Sequence, residues 1–131
     1  MLVAIDIGNT NTVFAFFEDQ QIKNTVRLEN NKPLSKEFFP KKIDSAIVAS
    51  VVPERDSIVK SFFETEFQIT PVFVDHNLEM PIKLKVDDPK EVGADRIANA
   101  MFAWKTFQTD AIVIDLGTAT TFDVISKNGE Y

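Results

Sequence analysis

The stretch LVAIDIGNTNTVFAFF, residues 2–17, decides the fold. Two runs rich in β-branched and aromatic residues, 2–7 and 12–17, flank a block of small and polar residues, a pattern that predicts two strands of a hairpin. The block is an odd choice for the turn of a buried pair, because it places Asp6, Gly8, Asn9, Thr10, Asn11 and Thr12 almost in succession. Near the other end, IVIDLGTATTFDVIS, residues 112–126, repeats the plan. At a fixed offset Asp6 lies over Asp115, Gly8 over Gly117 and Thr12 over Thr121. Two matching strand–turn–strand units predict a duplicated architecture.

Between the two units, a third strand over Gln21–Leu28 completes a meander, and the polar segment 30–42, with Pro33 and Pro40, holds a short helix. SAIVASVVP, residues 45–53, is a nearly continuous apolar run ended by proline, the pattern of a strand covered on both faces. In residues 54–67, Ile58, Val59, Phe62, Phe63 and Phe67 recur at helical spacing, and TPVFVD, residues 70–75, gives another short strand. This succession predicts an α/β fold, a mixed sheet with flanking helices. A second helix follows over 96–107, where Ile97, Ala100, Met101, Trp104 and Phe107 form an apolar stripe. Met101 and Trp104 read as core.

From Asp110 there is room for one hairpin, closed by the turn signal KNG at 127–129. The expected organisation is therefore an N-terminal domain over 1–109 and the first hairpin of a second domain over 110–131. These residues do not complete that second sheet, so the sequence reads as the front part of a longer protein whose last strands lack partners.

The 131 residues carry 44% hydrophobic and 26% charged side chains, enough apolar mass for a core. A net charge of −6 argues against a nucleic-acid binder, which needs clustered Lys and Arg to displace counterions. With no Cys and one His, disulfides, thiolate metal sites and ordinary zinc sites are disfavoured. No apolar run approaches the roughly 18 residues that span a bilayer, so no membrane partner is expected and the cytoplasm is the default compartment.

Turns lined with Gly, Asn and Thr expose backbone N–H groups and hydroxyls without bulk, which suits close approach to phosphate oxygens. An ionised Asp beside such a turn repels a bare phosphate, so Asp6 and Asp115 are candidate Mg²⁺ ligands, with the metal bridging to the phosphates. Two facing turns can grip one nucleoside triphosphate. Ordinary hairpins with small turn residues are the plainer alternative. A third constellation is EVGADRIANA, residues 91–100. Asp95 is either a helix N-cap or a base aimed at a substrate hydroxyl, with Arg96 beside it to bind an anionic or polar group. No Gly-Lys-Ser/Thr phosphate loop is present.

DIGNTNT (6–12), ASVVP (49–53), GADRIANA (93–100) and DLGTATTFDVI (115–125), in this order, closely resemble the type III pantothenate kinases. These are bacterial enzymes of coenzyme A biosynthesis within the ribonuclease H-like superfamily of acetate and sugar kinases, Hsp70 and actin. The resemblance implies ATP-dependent phosphorylation of pantothenate to 4′-phosphopantothenate, with Mg²⁺ and a monovalent cation, K⁺ or NH₄⁺, in a homodimer. It implies a first phosphate loop of Asp6, Gly8, Asn9, Thr10, Asn11 and Thr12, and a second of Asp115, Gly117, Thr118, Ala119, Thr120 and Thr121. It further implies Asp95 as catalytic base, and Gly93, Ala94, Asp95 and Arg96 as the pantothenate-binding motif. One departure stands out: where many relatives carry a Tyr shortly before GADR, this chain has KVDDPKEV, residues 85–92. Two other readings differ in class. One is a non-catalytic regulatory or transcription accessory protein, a role also described for this family, which sequence-specific DNA retention at physiological salt would reveal. The other is a sugar kinase or Hsp70-type ATPase, which shares the phosphate loops but not GADRIANA.

Overall fold

A computed structural model describes every residue of the chain except Thr118. Its contacts divide it into two compact units, Met1–Val74 and Asp75–Tyr131.

The first unit is built on the opening hairpin. Strands β1 (Leu2–Ile7), β2 (Asn11–Glu18) and β3 (Gln21–Glu29) form the expected antiparallel meander. The β2–β3 connection is the two residues Asp19 and Gln20, with φ of 50° and 64°, the left-handed pair that a tight hairpin turn requires. Strand β4 (Ser45–Ser50) pairs parallel with β1, and the short β5 (Val72–Phe73) pairs parallel with β4. The sheet order is β3-β2-β1-β4-β5, mixed as expected.

Helix α1 (Pro53–Phe67) crosses from β4 to β5 and covers one sheet face. Proline at its first position needs no hydrogen-bonded N–H there, so it starts the helix without loss. Val59 and Phe63 of α1 pack on Val3, Ile5, Ile7, Phe14, Phe16 and Val48, all alternate positions of their strands. The other face of β4 is less covered than the apolar run suggested: Ile47 is 36% exposed, and so are its neighbours on that face, Leu2 at 39% and Val72 at 49%. Ile58 also lies outside the core, on a groove of about 560 Å³ that it lines with Pro33, Leu34 and Phe62. In its place Arg55 is buried, donating from Nη2 to the Lys32 carbonyl at 3.0 Å.

The second unit is helix α2 (Ala94–Phe107) laid on the hairpin of β6 (Ala111–Leu116) and β7 (Thr120–Ile125). Ala100 and Ala103 of α2 meet Ile125 and Ile82, with Met101 and Trp104 packed at the margin of this core as expected. Phe107 leaves the predicted stripe and is 62% exposed. The contact division at Val74 groups α2 with the hairpin.

The hairpin is two-sided in character. Ala111, Val113, Asp115, Thr121, Asp123 and Ile125 alternate onto the α2 side, while Ile112, Ile114, Leu116, Phe122 and Val124 form the opposite, exposed side. After β7 the chain turns at Lys127–Gly129 and runs beside residues 83–85: Lys83 N–H donates to Gly129 O at 2.7 Å and Lys85 N–H to Tyr131 O at 2.7 Å.

Candidate active site

Each hairpin ends in the turn that drew attention in the sequence. In the first, Ile7 pairs with Thr12 as the last rung, and Gly8 N–H donates to Asn11 O at 3.0 Å. Asn30, just beyond β3, braces this turn. Its Nδ2 donates to Gly8 O at 2.7 Å, its Oδ1 accepts from Thr12 Oγ1 at 2.8 Å, and its backbone N–H donates to Thr10 O at 3.0 Å. Thr12 is fully buried with its hydroxyl committed to Asn30, while Asn9 and Thr10 are exposed and Gly8 and Asn11 half-buried. Asp6 stands on the sheet face opposite the core and is exposed. Asn30→Ala removes both side-chain braces and is expected to lower stability by about 1–3 kcal/mol in urea unfolding.

In the second, Leu116 pairs with Thr120 as the last rung, and Gly117 N–H donates to Ala119 O at 3.2 Å. This turn is one residue shorter than the first, since Asp6 faces Val13 across its ladder while Asp115 faces Thr121. The fixed-offset overlay therefore matches residue types but not rungs. Thr118 lies outside the described residues. Asp115 points to the α2 side, where Asn99 Nδ2 donates to its Oδ2 at 3.2 Å; Ala119 and Thr120 are exposed.

Three glycines separate structural from other demands. Gly129 has φ of +78°, and a Cβ there meets Pro81 O at 3.3 Å and the Trp104 ring at 3.3 Å, so the fold itself requires glycine. A Cβ at Gly8 meets only Asn11 O at 3.5 Å, and one at Gly117 only Ala119 O at 3.7 Å and Asp115 Oδ1 at 3.8 Å, ordinary contacts at negative φ. Neither backbone conformation nor packing accounts for these two.

The third constellation opens α2. Gly93 is the N-cap, with no side chain to cap with, and Ala94 is buried behind it. Asp95 is thus inside the first turn and is not the N-cap. Its Oδ1 accepts the Arg96 backbone N–H at 2.8 Å, in a half-buried setting. Arg96 turns onto the hairpin and donates from Nε to Asp123 Oδ1 at 2.6 Å. Gly93, Ala94, Asp95, Arg96, Asn99 and Asp115 are all carried by the second unit. Tyr131 also donates its phenol to Asp123 Oδ1, at 2.5 Å. Burial first, then Asp123, pushes that phenol up to about 12, so it stays un-ionised at neutral pH.

Among the described residues no group of three or more acidic or histidine side chains gathers into a metal cage. Asp115, half-buried and bonded to Asn99, is a lone carboxylate, and Mg²⁺ is an ion that accepts one or two carboxylates beside waters and phosphates.

The sequence model of the type III pantothenate kinase family matches residues 2–131. The chain belongs to this family. It is similar to three proteins named type III pantothenate kinase: 43% identical to one of Desulfosudis oleivorans, 40% to one of Desulfatibacillum aliphaticivorans and 37% to one of Myxococcus xanthus. All of this chain is covered in each comparison, against 57%, 56% and 57% of the respective relatives, so the chain spans little more than half their length. No helix among the described residues of this type III pantothenate kinase family member is long and apolar enough to cross a membrane.

Asn30, Asn99, Asp123 and Tyr131 were not singled out by sequence reasoning. A signal existed for Asp123: an acidic residue inside an apolar strand, on the same side as Asp115 and Thr121, marks an interior position in need of a partner. Asn30 had none, because its partners are 18 to 22 residues away in a turn whose shape the sequence does not specify.

Proposed function

We propose that the chain carries the hydroxyl-activating and phosphate-binding parts of an ATP-dependent pantothenate kinase, forming 4′-phosphopantothenate at the start of coenzyme A biosynthesis. What carries this reading is the gathering of Asp95, Arg96 and Asp115 in one compact unit, α2 on the β6–β7 hairpin. A carboxylate that can take a proton thus belongs to the same packed body as a guanidinium suited to a carboxylate and a glycine turn suited to phosphate.

In this mechanism Asp95 orients the primary hydroxyl of pantothenate and accepts its proton as that oxygen attacks the γ-phosphorus in line. Arg96, with Gly93 and Ala94, holds the acceptor. The Gly8–Asn11 turn, with Asn9 and Thr10 exposed, and the turn from Gly117 to Thr121 including Thr118 and Ala119 are each suited to nucleotide phosphates through backbone N–H groups and hydroxyls, whereas Thr12, buried with its hydroxyl on Asn30, shapes the first turn and does not touch phosphate. Asp115 in the second unit and Asp6 in the first are each candidate ligands for Mg²⁺, an ion that when bound would neutralise charge on the transferring group. Asn99 fixes Asp115 for that task. Catalysis here is mostly positioning and electrostatics, so loss of any one wall should be severe.

The family resemblance also supports a duplicated ribonuclease H-like architecture divided near 109/110, a requirement for K⁺ or NH₄⁺, a homodimer and a cytoplasmic enzyme. The net charge of −6 supports the absence of a nucleic-acid partner.

The test is phosphorylation of pantothenate by the complete gene product with Mg²⁺ and K⁺, alongside the 131-residue chain. Turnover of pantothenate by the complete product supports the proposal; inactivity on pantothenate with turnover of another alcohol moves it to a different kinase. Gly8→Ala and Gly117→Ala are expected to change stability by no more than about 1 kcal/mol. They should weaken nucleotide binding about tenfold, read by titration calorimetry, if main-chain approach is what these glycines serve.

A further inference from the structure

Asp123 is only 1% exposed and its bonding is lopsided. Oδ1 accepts from Arg96 Nε at 2.6 Å and from Tyr131 OH at 2.5 Å, and Arg96 Nη2 forms an ion pair with the same oxygen at 2.5 Å. Oδ2 is equally buried and has no hydrogen-bond partner among the described residues. A pair built only to hold the unit together would meet the guanidinium fork with both oxygens.

Stability is a weak reason for such a pair, since a buried ion pair contributes little over a well-packed apolar replacement. Arg96 is also poorly placed for its own helix, because a cation in the first turn of α2 opposes the helix dipole. Something other than helix formation keeps it there. Its side chain remains 35% exposed, and the Tyr131 ring lies 6.0 Å from the guanidinium carbon. Asp123 takes the Nε–Nη2 edge, so the edge with which Arg96 can meet an anion is Nη1–Nη2.

We propose that Asp123, assisted by Tyr131, is a positioning residue that fixes the Arg96 guanidinium so that its Nη1–Nη2 edge receives the carboxylate of the acceptor substrate. This rests on Arg96 binding the acceptor, as set out above. Asp123 touches no reacting atom; it acts through Arg96 on affinity.

The experiment is steady-state kinetics of the complete gene product with Asp123→Ala, Asp123→Asn, Tyr131→Phe, Arg96→Ala and the double variant Asp123→Ala/Arg96→Ala. Each is assayed on pantothenate and on pantothenol, in which CH₂OH replaces the carboxylate. Asp123→Ala is expected to raise KM for pantothenate about tenfold or more. KM for ATP, kcat, and KM for pantothenol should stay within about threefold, and the double variant should be no worse than Arg96→Ala alone. Asp123→Asn keeps volume and the Oδ1 acceptor, and Tyr131→Phe removes one bond, so these two carry the test if the alanine variant does not fold. Equal rises in KM for pantothenate and pantothenol, or a matching rise for ATP, make Asp123 structural only and overturn the proposal. If Arg96→Ala leaves KM for pantothenate unchanged, the assignment of Arg96 fails first and the role of Asp123 falls with it. A normal Arg96 effect with silent Asp123 and Tyr131 variants sinks the positioning role alone.

Discussion

Asp95→Asn is expected to lower the rate of pantothenate phosphorylation by the complete gene product about 10²–10⁴-fold, the range that a positioned general base supplies. The substitution is informative because the local structure does not depend on the negative charge. Asp95 follows Ala94 inside the first turn of α2, and its Oδ1 accepts the Arg96 N–H at 2.8 Å, a bond that an asparagine oxygen can also accept. What the variant loses is the capacity to take a proton and a favourable charge near the helix N-terminus, the latter about 0.3–1 kcal/mol. The two losses read out separately: rate reports the first, thermal unfolding the second. A rate deficit with near-normal melting and unchanged KM for ATP supports Asp95 as base. A variant of normal rate removes Asp95 from the chemistry and leaves it a helix-start residue.

Much of this was legible in the sequence wherever a local pattern and a tertiary demand coincided. Strands β1, β2 and β3 alternate, α1 and α2 repeat at helical spacing, and each was expected within a few residues of where it lies. Illegible features were those in which an ordinary residue takes an uncommon conformation or a distant partner. Both helices end on glutamine in the left-handed region, Gln68 at φ 59° and Gln108 at φ 52°, where glycine is the usual signal. The same holds for Asp19 and Gln20 in the β2–β3 turn. Residue types at a fixed offset drew attention to Asp6 and Asp115, and the stretch EVGADRIANA to Asp95 and Arg96. Asn30 and Asn99, which hold the first turn and Asp115 in place, act across 22 and 16 positions and leave no local trace, while Asp123, 27 positions from Arg96, left only the trace of an acid inside an apolar strand. The apolar run of β4 misled for a related reason: continuity of hydrophobic residues says that both faces avoid charge, not that both are covered, and Ile47 remains exposed.

Phe39→Ala is expected to produce the largest loss of stability, about 3–5 kcal/mol. Phe39 stands in the segment 30–42, whose prolines and lysines read as a polar connection. A short 3₁₀ turn, Lys36–Phe38, delivers it inward, and it is 8% exposed. Its ring meets Phe14 edge-on at 5.0 Å, Phe16 at 5.9 Å and Phe63 at 5.7 Å, with Phe62 at 5.1 Å and Phe67 at 5.9 Å. Two of these partners belong to β2 and three to α1, so Phe39 fills the space between sheet and helix from a third direction. Truncation opens a cavity bounded by rings that edge-to-face geometry holds in place, and collapse around it would forfeit their mutual contacts as well, each worth about 0.5–1.5 kcal/mol. The measurement is urea unfolding of Phe39→Ala beside Phe102→Ala, whose ring is 68% exposed and whose truncation should cost no more than about 0.5 kcal/mol. A midpoint shift with unchanged slope locates the effect in native packing. A loss below about 1 kcal/mol for Phe39→Ala would mean that the α1 rings close over the gap and that the turn at 36–38 is not what joins helix to sheet.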